Sequence, residues 1–359
     1  MNRVLTRYLA REIFGATAMV LLAFLGLFVF FDFINELDVV GKDGYELHHA
    51  LIFVVMLIPG RVYELLPVAV LIGTLYALTT LARHSEITVM RVSGMSTPAM
   101  LRALGGIGVI FVVLTFVIGE YVAPPAEQAA QQWRLTATHS AVSNQLRSGL
   151  WVKDGLRVVN VRTVLPDRSM EKVRIYDFDA QHALLSISEA ATGRYDAAQQ
   201  GWLLEGVRQT RFLGDHTDVV DLTELTWRSD LTPQVLSVLM VVPERMSVTT
   251  LFAYISHLRE NRQNADRYEI ALWKKLVYPF AALVMMALAL PFSFTHDRMG
   301  GVSMKVFLGV MLGIGFHLLN GLFSSLGVIN SWQPALAALT PSALFLAAAA
   351  GMLVWVERR

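Results

Sequence analysis

Cysteine is absent from the 359 residues. That excludes disulfides, thiolate metal sites and a cysteine nucleophile. Charge is scarce: 16% of residues are Asp, Glu, Lys or Arg, and the formal net charge is +1. Such a balance leaves no basic footprint for nucleic acid. Familiar chemical motifs are missing too. There is no G-x-x-x-x-G-K-[ST] cradle for nucleotide phosphates, no H-E-x-x-H pair for zinc and no G-x-S-x-G elbow for a nucleophilic serine. The adjacent His48 and His49 would point to different faces of a helix, whereas ligands sharing one helix need spacings of three or four residues. If the protein does work driven by ATP, the nucleotide site is on another chain, and this chain carries no cofactor of its own.

What is abundant is apolar surface. With 54% hydrophobic residues and a mean hydropathy of +0.49, the chain reads as a polytopic α-helical membrane protein. A bilayer core needs about 20 helical residues, and six stretches qualify: 10–36, 50–82, 98–122, 268–293, 303–326 and 334–356. The second carries Pro59-Gly60 and Pro67, which predict a kink, and the third is expected to end before Ala123-Pro124-Pro125. Arg3, Arg7 and Arg11 precede an apolar run, 13–31, that is too long for a signal peptide; the run reads as an uncleaved first helix. Arg83, Arg91, Arg102, Arg298, Lys305, Arg358 and Arg359 then fall on one side of the membrane, taken as cytoplasmic. The opposite loop holds Glu36, Asp38, Asp43 and Glu46 against Lys42 alone. Six spans put both termini in the cytoplasm and the segment between spans three and four outside, which is the periplasm of a Gram-negative bacterium.

That segment, 145–245, has a different texture. Stretches 156–165, 172–178, 202–212 and 219–227 alternate as strands do, with Val173 and Ile175 facing one side and Tyr176 and Phe178 the other. Asp154-Gly155, Gln200-Gly201 and Gly214-Asp215 supply turn residues. Many short strands at this spacing suggest an antiparallel sandwich or jellyroll. A linker, 231–243, leads to a soluble helix over 248–262 that Ser247 would cap, with Leu251, Tyr254, Ile255 and Leu258 at helical spacing. Three parts result: 1–140 with spans one to three, an inserted all-β jellyroll domain at 141–245, and 246–359 with the connecting helix and spans four to six.

Two places could carry function. The loop between spans two and three reads Ser85-Glu86-Ile87-Thr88-Val89-Met90-Arg91-Val92-Ser93-Gly94. Ser85 suits an N-cap, Glu86 the first turn, and Gly94 a left-handed end. Glu86 and Met90 would share a face at i, i+4, with Arg91 at its edge. Such a rod fits a groove on a soluble partner or lies along the lipid surface; both readings stand on physics alone. The second place is charge at membrane depth. Asp32, Arg61, Glu64 and Glu120 lie toward the outer half, and Arg134 follows span three beside Trp133. They are ordinary interfacial anchors or a polar rim above an apolar cavity, where a phosphorylated amphiphile would meet a cation. His317 and the scattered methionines read as packing, and the glycines of spans three and five (Gly105, Gly106, Gly108, Gly309, Gly313 and Gly315) as close helix contacts.

Three motifs carry a likeness to a known family: the Ser85–Gly94 run above, Gly119-Glu120-Tyr121-Val122-Ala123-Pro124, and Gly149-Leu150-Trp151-Val152-Lys153-Asp154-Gly155. Together with the arrangement of spans, the chain resembles the permease family of the lipopolysaccharide export system (LptF/LptG type) over nearly its whole length. The resemblance implies a pseudo-symmetric pair with a second permease of LptF type, each with six helices and a periplasmic β-jellyroll, in the bacterial inner membrane. It implies a cytoplasmic ATPase dimer of LptB type that binds the ATP. Stretch 86–94 is then the coupling helix in the ATPase groove, with Glu86 and Met90 as contacts and Ser85, Arg91 and Gly94 completing it. Lipopolysaccharide leaves the outer leaflet through a cavity between the permeases and passes to periplasmic jellyroll proteins of LptC and LptA types, toward the outer membrane. Arg134 matches a family position implicated in holding the phosphorylated head, with Asp32 and Glu120 on the same rim. Relatives can carry basic residues where this chain has Asp32 and Gln131. Two rival readings remain: a membrane-anchored scaffold that recruits periplasmic partners without moving lipid, and a lipid-modifying enzyme using Glu64 or Glu120 as base. Against the enzyme, no nucleophile–base–orienter set is visible.

Overall fold

The computed structural model describes residues 3–42, 44–94, 96–138, 149–165, 169–196, 201–229, 242–261, 263–294 and 302–358. Arg298, Arg359, Gln200 and nearly all of the 231–243 linker lie outside the described residues. Two compact units result, one of residues 1–35, 54–127 and 266–359, the other of 36–53 and 128–265.

The first unit is helical. Six helical stretches are long and apolar enough to cross a membrane: Val4–Leu37, Leu47–Arg83, Pro98–Arg134, Asp266–Pro291, Ser303–Ile329 and Pro334–Trp355. Helix α1 runs Arg3–Leu37 and α2 Leu47–Arg83. Pro59 and Pro67 do not break α2. The short α3 (Glu86–Val92) precedes α4 (Thr97–Val117). The third span does not stop at the prolines as the sequence suggested. A π-helical turn, Ile118–Val122, joins α4 to α5, Ala123–Ala137. One residue is accommodated in the wider turn, whose i→i−5 pairing runs from the Ala123 N–H to the Ile118 carbonyl; the altered pairing just ahead of Pro124 and Pro125 lets the helix pass them. Of the later helices that belong to this unit, α7 (Asp266–Val277) passes through a 3₁₀ turn at Tyr278–Phe280 into α8, Ala281–Phe294. Helices α9 (Val302–Ile329) and α10 (Pro334–Glu357) complete the unit.

Close helix approach is visible at particular glycines. A Cβ on Gly73 would stand 2.6 Å from the Thr17 backbone. Gly108 is occupied by Leu283, Gly309 by Leu75 and Gly313 by Val68, whereas Gly105, Gly106 and Gly315 face open space. The small-residue expectation thus holds for half of the positions singled out in spans three and five.

The second unit holds the insert. Strands β1 (Leu150–Asp154), β2 (Arg157–Val164), β3 (Met170–Phe178), β4 (Leu184–Asp196), β5 (Gly201–Phe212) and β6 (Thr217–Arg228) form one antiparallel sheet in sequential order. The insert is all-β as expected. Its described strands follow a meander, because each pairs with its neighbour in the chain; a jellyroll's Greek-key crossovers are not among them. Asp154 pairs with Arg157, so Gly155 and Leu156 make a two-residue hairpin loop, and Gly155 has φ 60° as such turns require.

Every strand from β2 to β6 slips phase at one place. Inward residues run Val159, Val161, then Val164 in β2; Met170, then Val173 and Ile175 in β3; Trp202, Leu204, then Val207 in β5. The surplus residues are Arg162, Lys172, Ala191, Gly206 and Thr223, which the pairing skips on adjacent strands. They make a seam across the sheet, with left-handed backbone at Lys172 (φ 52°) and Gly206 (φ 63°). On both sides of the seam the inward residues feed one core that includes Val159, Met170, Val173, Trp202, Leu204 and Trp227. The Trp227 indole N–H donates to Asp154 Oδ2 at 3.0 Å, tying the last strand to the first. Helix α6 (Val248–Glu260) is capped by Ser247, whose hydroxyl accepts from the Thr250 N–H. It buries Leu251, Tyr254, Ile255 and Leu258 as their spacing predicted.

Candidate coupling helix and membrane-depth charges

Helix α3 has seven residues, a rod about 10 Å long. Its start differs from expectation. Ser85 is left-handed (φ 63°) and makes no side-chain cap; instead its carbonyl accepts from the Val89 N–H at 3.0 Å. Gly94, at φ 93°, is left-handed as predicted. The faces differ too. Ile87 and Met90 are each 4% exposed and lie in a core with Leu9, Leu78, Leu81 and Met100. Met90 therefore points into the helical unit rather than outward as an anchor, because it shares a face with Ile87 at i, i+3. The outward face presents Val89 and Val92, 63% and 85% exposed, together with Arg91, and Glu86 is half-buried.

In the same unit, Arg61 joins two helices. Its Nε and Nη2 donate to Asp32 Oδ2 and Oδ1 at 2.8 and 2.6 Å, a bidentate fork, and Nη1 donates to Glu64 Oε2 at 3.0 Å. The guanidinium also lies 5.6 Å from the Phe28 ring centroid. Asp32 is thus a partner of Arg61 rather than a lone charge. The Tyr278 hydroxyl donates to the Glu64 carbonyl at 2.6 Å, tying span four to span two. Glu120 occupies the π-helical turn, next to Gly119, against which the Tyr63 ring packs too closely to admit any side chain.

The remaining site residue, Arg134, belongs to the other unit and sits in α5. Its Nε is 2.9 Å from Glu36 Oε1, with side chains 29% and 6% exposed respectively, and its guanidinium lies 5.3 Å from the Phe53 ring centroid. Burial, and then the neighbouring Glu36 carboxylate, push the Tyr45 hydroxyl well above its ordinary pKa, against a smaller opposing pull from Arg134. Beside it, Trp133 donates through Nε1 to the His49 carbonyl at 3.2 Å, and the His49 ring stacks on Tyr45 and lies tilted against Trp133.

A sequence profile of the lipopolysaccharide export system permeases LptF/LptG matches residues 7–355. The chain belongs to the LptF/LptG family. Similar relatives include the lipopolysaccharide export system permease protein LptG of Haemophilus influenzae, 32% identical across 100% of this chain and 99% of the relative. The LptG of Escherichia coli K12 is 31% identical, with 95% of each chain covered. For this LptF/LptG family member, sequence reasoning named Asp32, Glu36, Arg61, Glu64 and Arg134 but not which of them pair. The available signal was opposite charge toward the outer side of the spans: Asp32 and Glu36 near the end of the first, Arg61 in the second and Arg134 past the third.

Proposed function

We propose that the chain is a permease subunit that draws lipopolysaccharide from the outer leaflet of the bacterial inner membrane and passes it toward a periplasmic bridge of β-jellyroll proteins. It pairs with a second permease, and a separate ATPase dimer in the cytoplasm hydrolyses ATP. The family and the relatives' names support the cargo; six membrane-length helices and one β insert support the architecture. In this reading residues 1–140 hold spans one to three, 246–359 the connecting helix and spans four to six, 141–245 face the periplasm, and both termini are cytoplasmic. Stretch 85–94 is the coupling element: Ser85 and Gly94 bound it, Ile87 and Met90 key it to the helical unit, and Glu86, Val89, Arg91 and Val92 meet the ATPase. Arg134, braced through Nε by Glu36, keeps its terminal amino groups for a phosphorylated headgroup; Asp32 and Glu120 are lipid-facing positions of the helical unit.

The observation that carries the reading is the division of labour on α3, apolar and buried on one side, apolar and exposed on the other. Val89 and Val92 stand side by side at i, i+3 next to Arg91, an arrangement that suits a groove on a partner. Glu86→Ala is expected to weaken co-purification with the ATPase, or to lower lipopolysaccharide-stimulated ATP hydrolysis. Wild-type values of both would reject the role assigned to this helix.

A further inference from the structure

The solvent-side face of the β sheet has a groove of roughly 690 Å³ along the seam, within the size range of small-ligand sites. One wall is a row that crosses all six strands in register: Trp151, Asn160, Arg174, Glu189, Arg208 and Asp221. Its charges are internally matched, Arg174 with Glu189 at 2.8 Å and Arg208 with Asp221 at 2.9 Å. Two further cations line the groove, Arg162 and Lys172. They are the surplus residues of adjacent strands, so the register sets them opposite each other. Neither has a hydrogen-bond or ion-pair partner among the described residues. Like charges facing across a strand pair destabilise a sheet, and Lys172 also holds a left-handed backbone, which costs a side chain with a Cβ free energy. The carboxylates Glu171, Glu205 and Glu224 stand in the next row beyond the seam, and none of them lines the groove. Trp151 is 53% exposed and stacks on Tyr176 with ring centroids 5.9 Å apart, so one wall offers an aromatic face.

We infer that this groove is a binding site for a phosphorylated sugar, whose phosphate sits between Arg162 and Lys172 and whose ring lies on Trp151. Two unmatched cations at one place suit a compact dianion, and an exposed indole suits a partner with one apolar face and one polar edge. The site is on the outer face of the β domain and does not depend on the membrane-depth charges or on α3. The same chemistry occurs in a glycolipid headgroup and in a soluble sugar phosphate.

The test uses the full chain purified in a neutral detergent, with radiolabelled glucose 1-phosphate as probe in equilibrium dialysis at low salt. Saturable binding is expected, weakened about tenfold or more by R162Q/K172Q, as loss of charge-assisted hydrogen bonds implies. W151A should weaken glucose 1-phosphate while leaving inorganic phosphate unchanged. The double variant R211Q/R228Q removes as much charge from the same domain outside the groove and should bind as wild type. No saturable binding by the wild type, or an equal loss in R211Q/R228Q, overturns the inference. Circular dichroism of each variant separates lost binding from lost folding, and the conservative R162K keeps the charge and should retain most binding. Competition by lipopolysaccharide micelles identifies a glycolipid headgroup as the source; binding that they leave untouched identifies a soluble sugar phosphate.

Discussion

Arg61 offers the sharpest quantitative test of the membrane unit. The Arg61→Ala change removes one cation but strands two carboxylates, Asp32 at 13% exposure and Glu64 at 38%. Breaking a buried pair from one side costs about 3–5 kcal/mol; Arg61 keeps 21% exposure, so water relieves part of the penalty and about 2–3 kcal/mol is expected. Asp32→Ala is milder. Arg61 keeps Glu64 at 3.0 Å, and the loss should be about 1 kcal/mol. In the double variant the stranded Asp32 is gone, so its cost should fall below the sum of the singles by about 1–2 kcal/mol. The reversed pair, D32R/R61D, should recover only part, because the new carboxylate would face Glu64 at i, i+3. Equilibrium unfolding in mixed micelles measures all four. If Arg61→Ala costs no more than Asp32→Ala, or if the two add within about 0.5 kcal/mol, the fork does not couple span one to span two.

Two further outcomes follow from the same geometry. Met90→Ala empties a packed position and should destabilise the chain by about 2–5 kcal/mol, whereas Val89→Ser should leave the unfolding midpoint unchanged and lower ATPase co-purification; thermal unfolding and pull-down read the two. Tyr45 supplies a pH dependence. Its raised pKa means that the folded state keeps the phenol proton where the unfolded chain loses it, so its contribution is complete below pH of about 10 and falls as pH rises from there. Tyr45→Phe should flatten that alkaline decline in thermal midpoint and leave the neutral range unaltered in slope.

Long elements with strong periodicity were legible in the sequence. The six spans, strands β2, β3, β5 and β6, and the Ser247-capped helix all follow from apolar pattern and one capping hydroxyl. Strand β4 was not, because its inward side chains are Ser186, Ser188 and Ala190; small polar residues carry no alternation in hydropathy, and packing against neighbouring strands decides their fate. The π-helical turn was hidden for a different reason. Pro124-Pro125 reads as a stop, and only the backbone shows that one wider turn lets the helix continue. For α3 the residues were right and the azimuth was wrong: a seven-residue helix has too few positions for its pattern to show which side faces inward. Charge pairs were half legible, since sequence gives signs and depths but not which helices stand together.

The brevity of α3 has a consequence of its own. Helices shorter than about 12 residues hardly form alone in water, so the shape of this one comes from the two side chains it sinks among its neighbours. A synthetic peptide copied from the loop would be formless and a poor decoy. Whatever grips the outer surface of this segment recognises a conformational epitope, and loses its grip when the scaffold beneath melts.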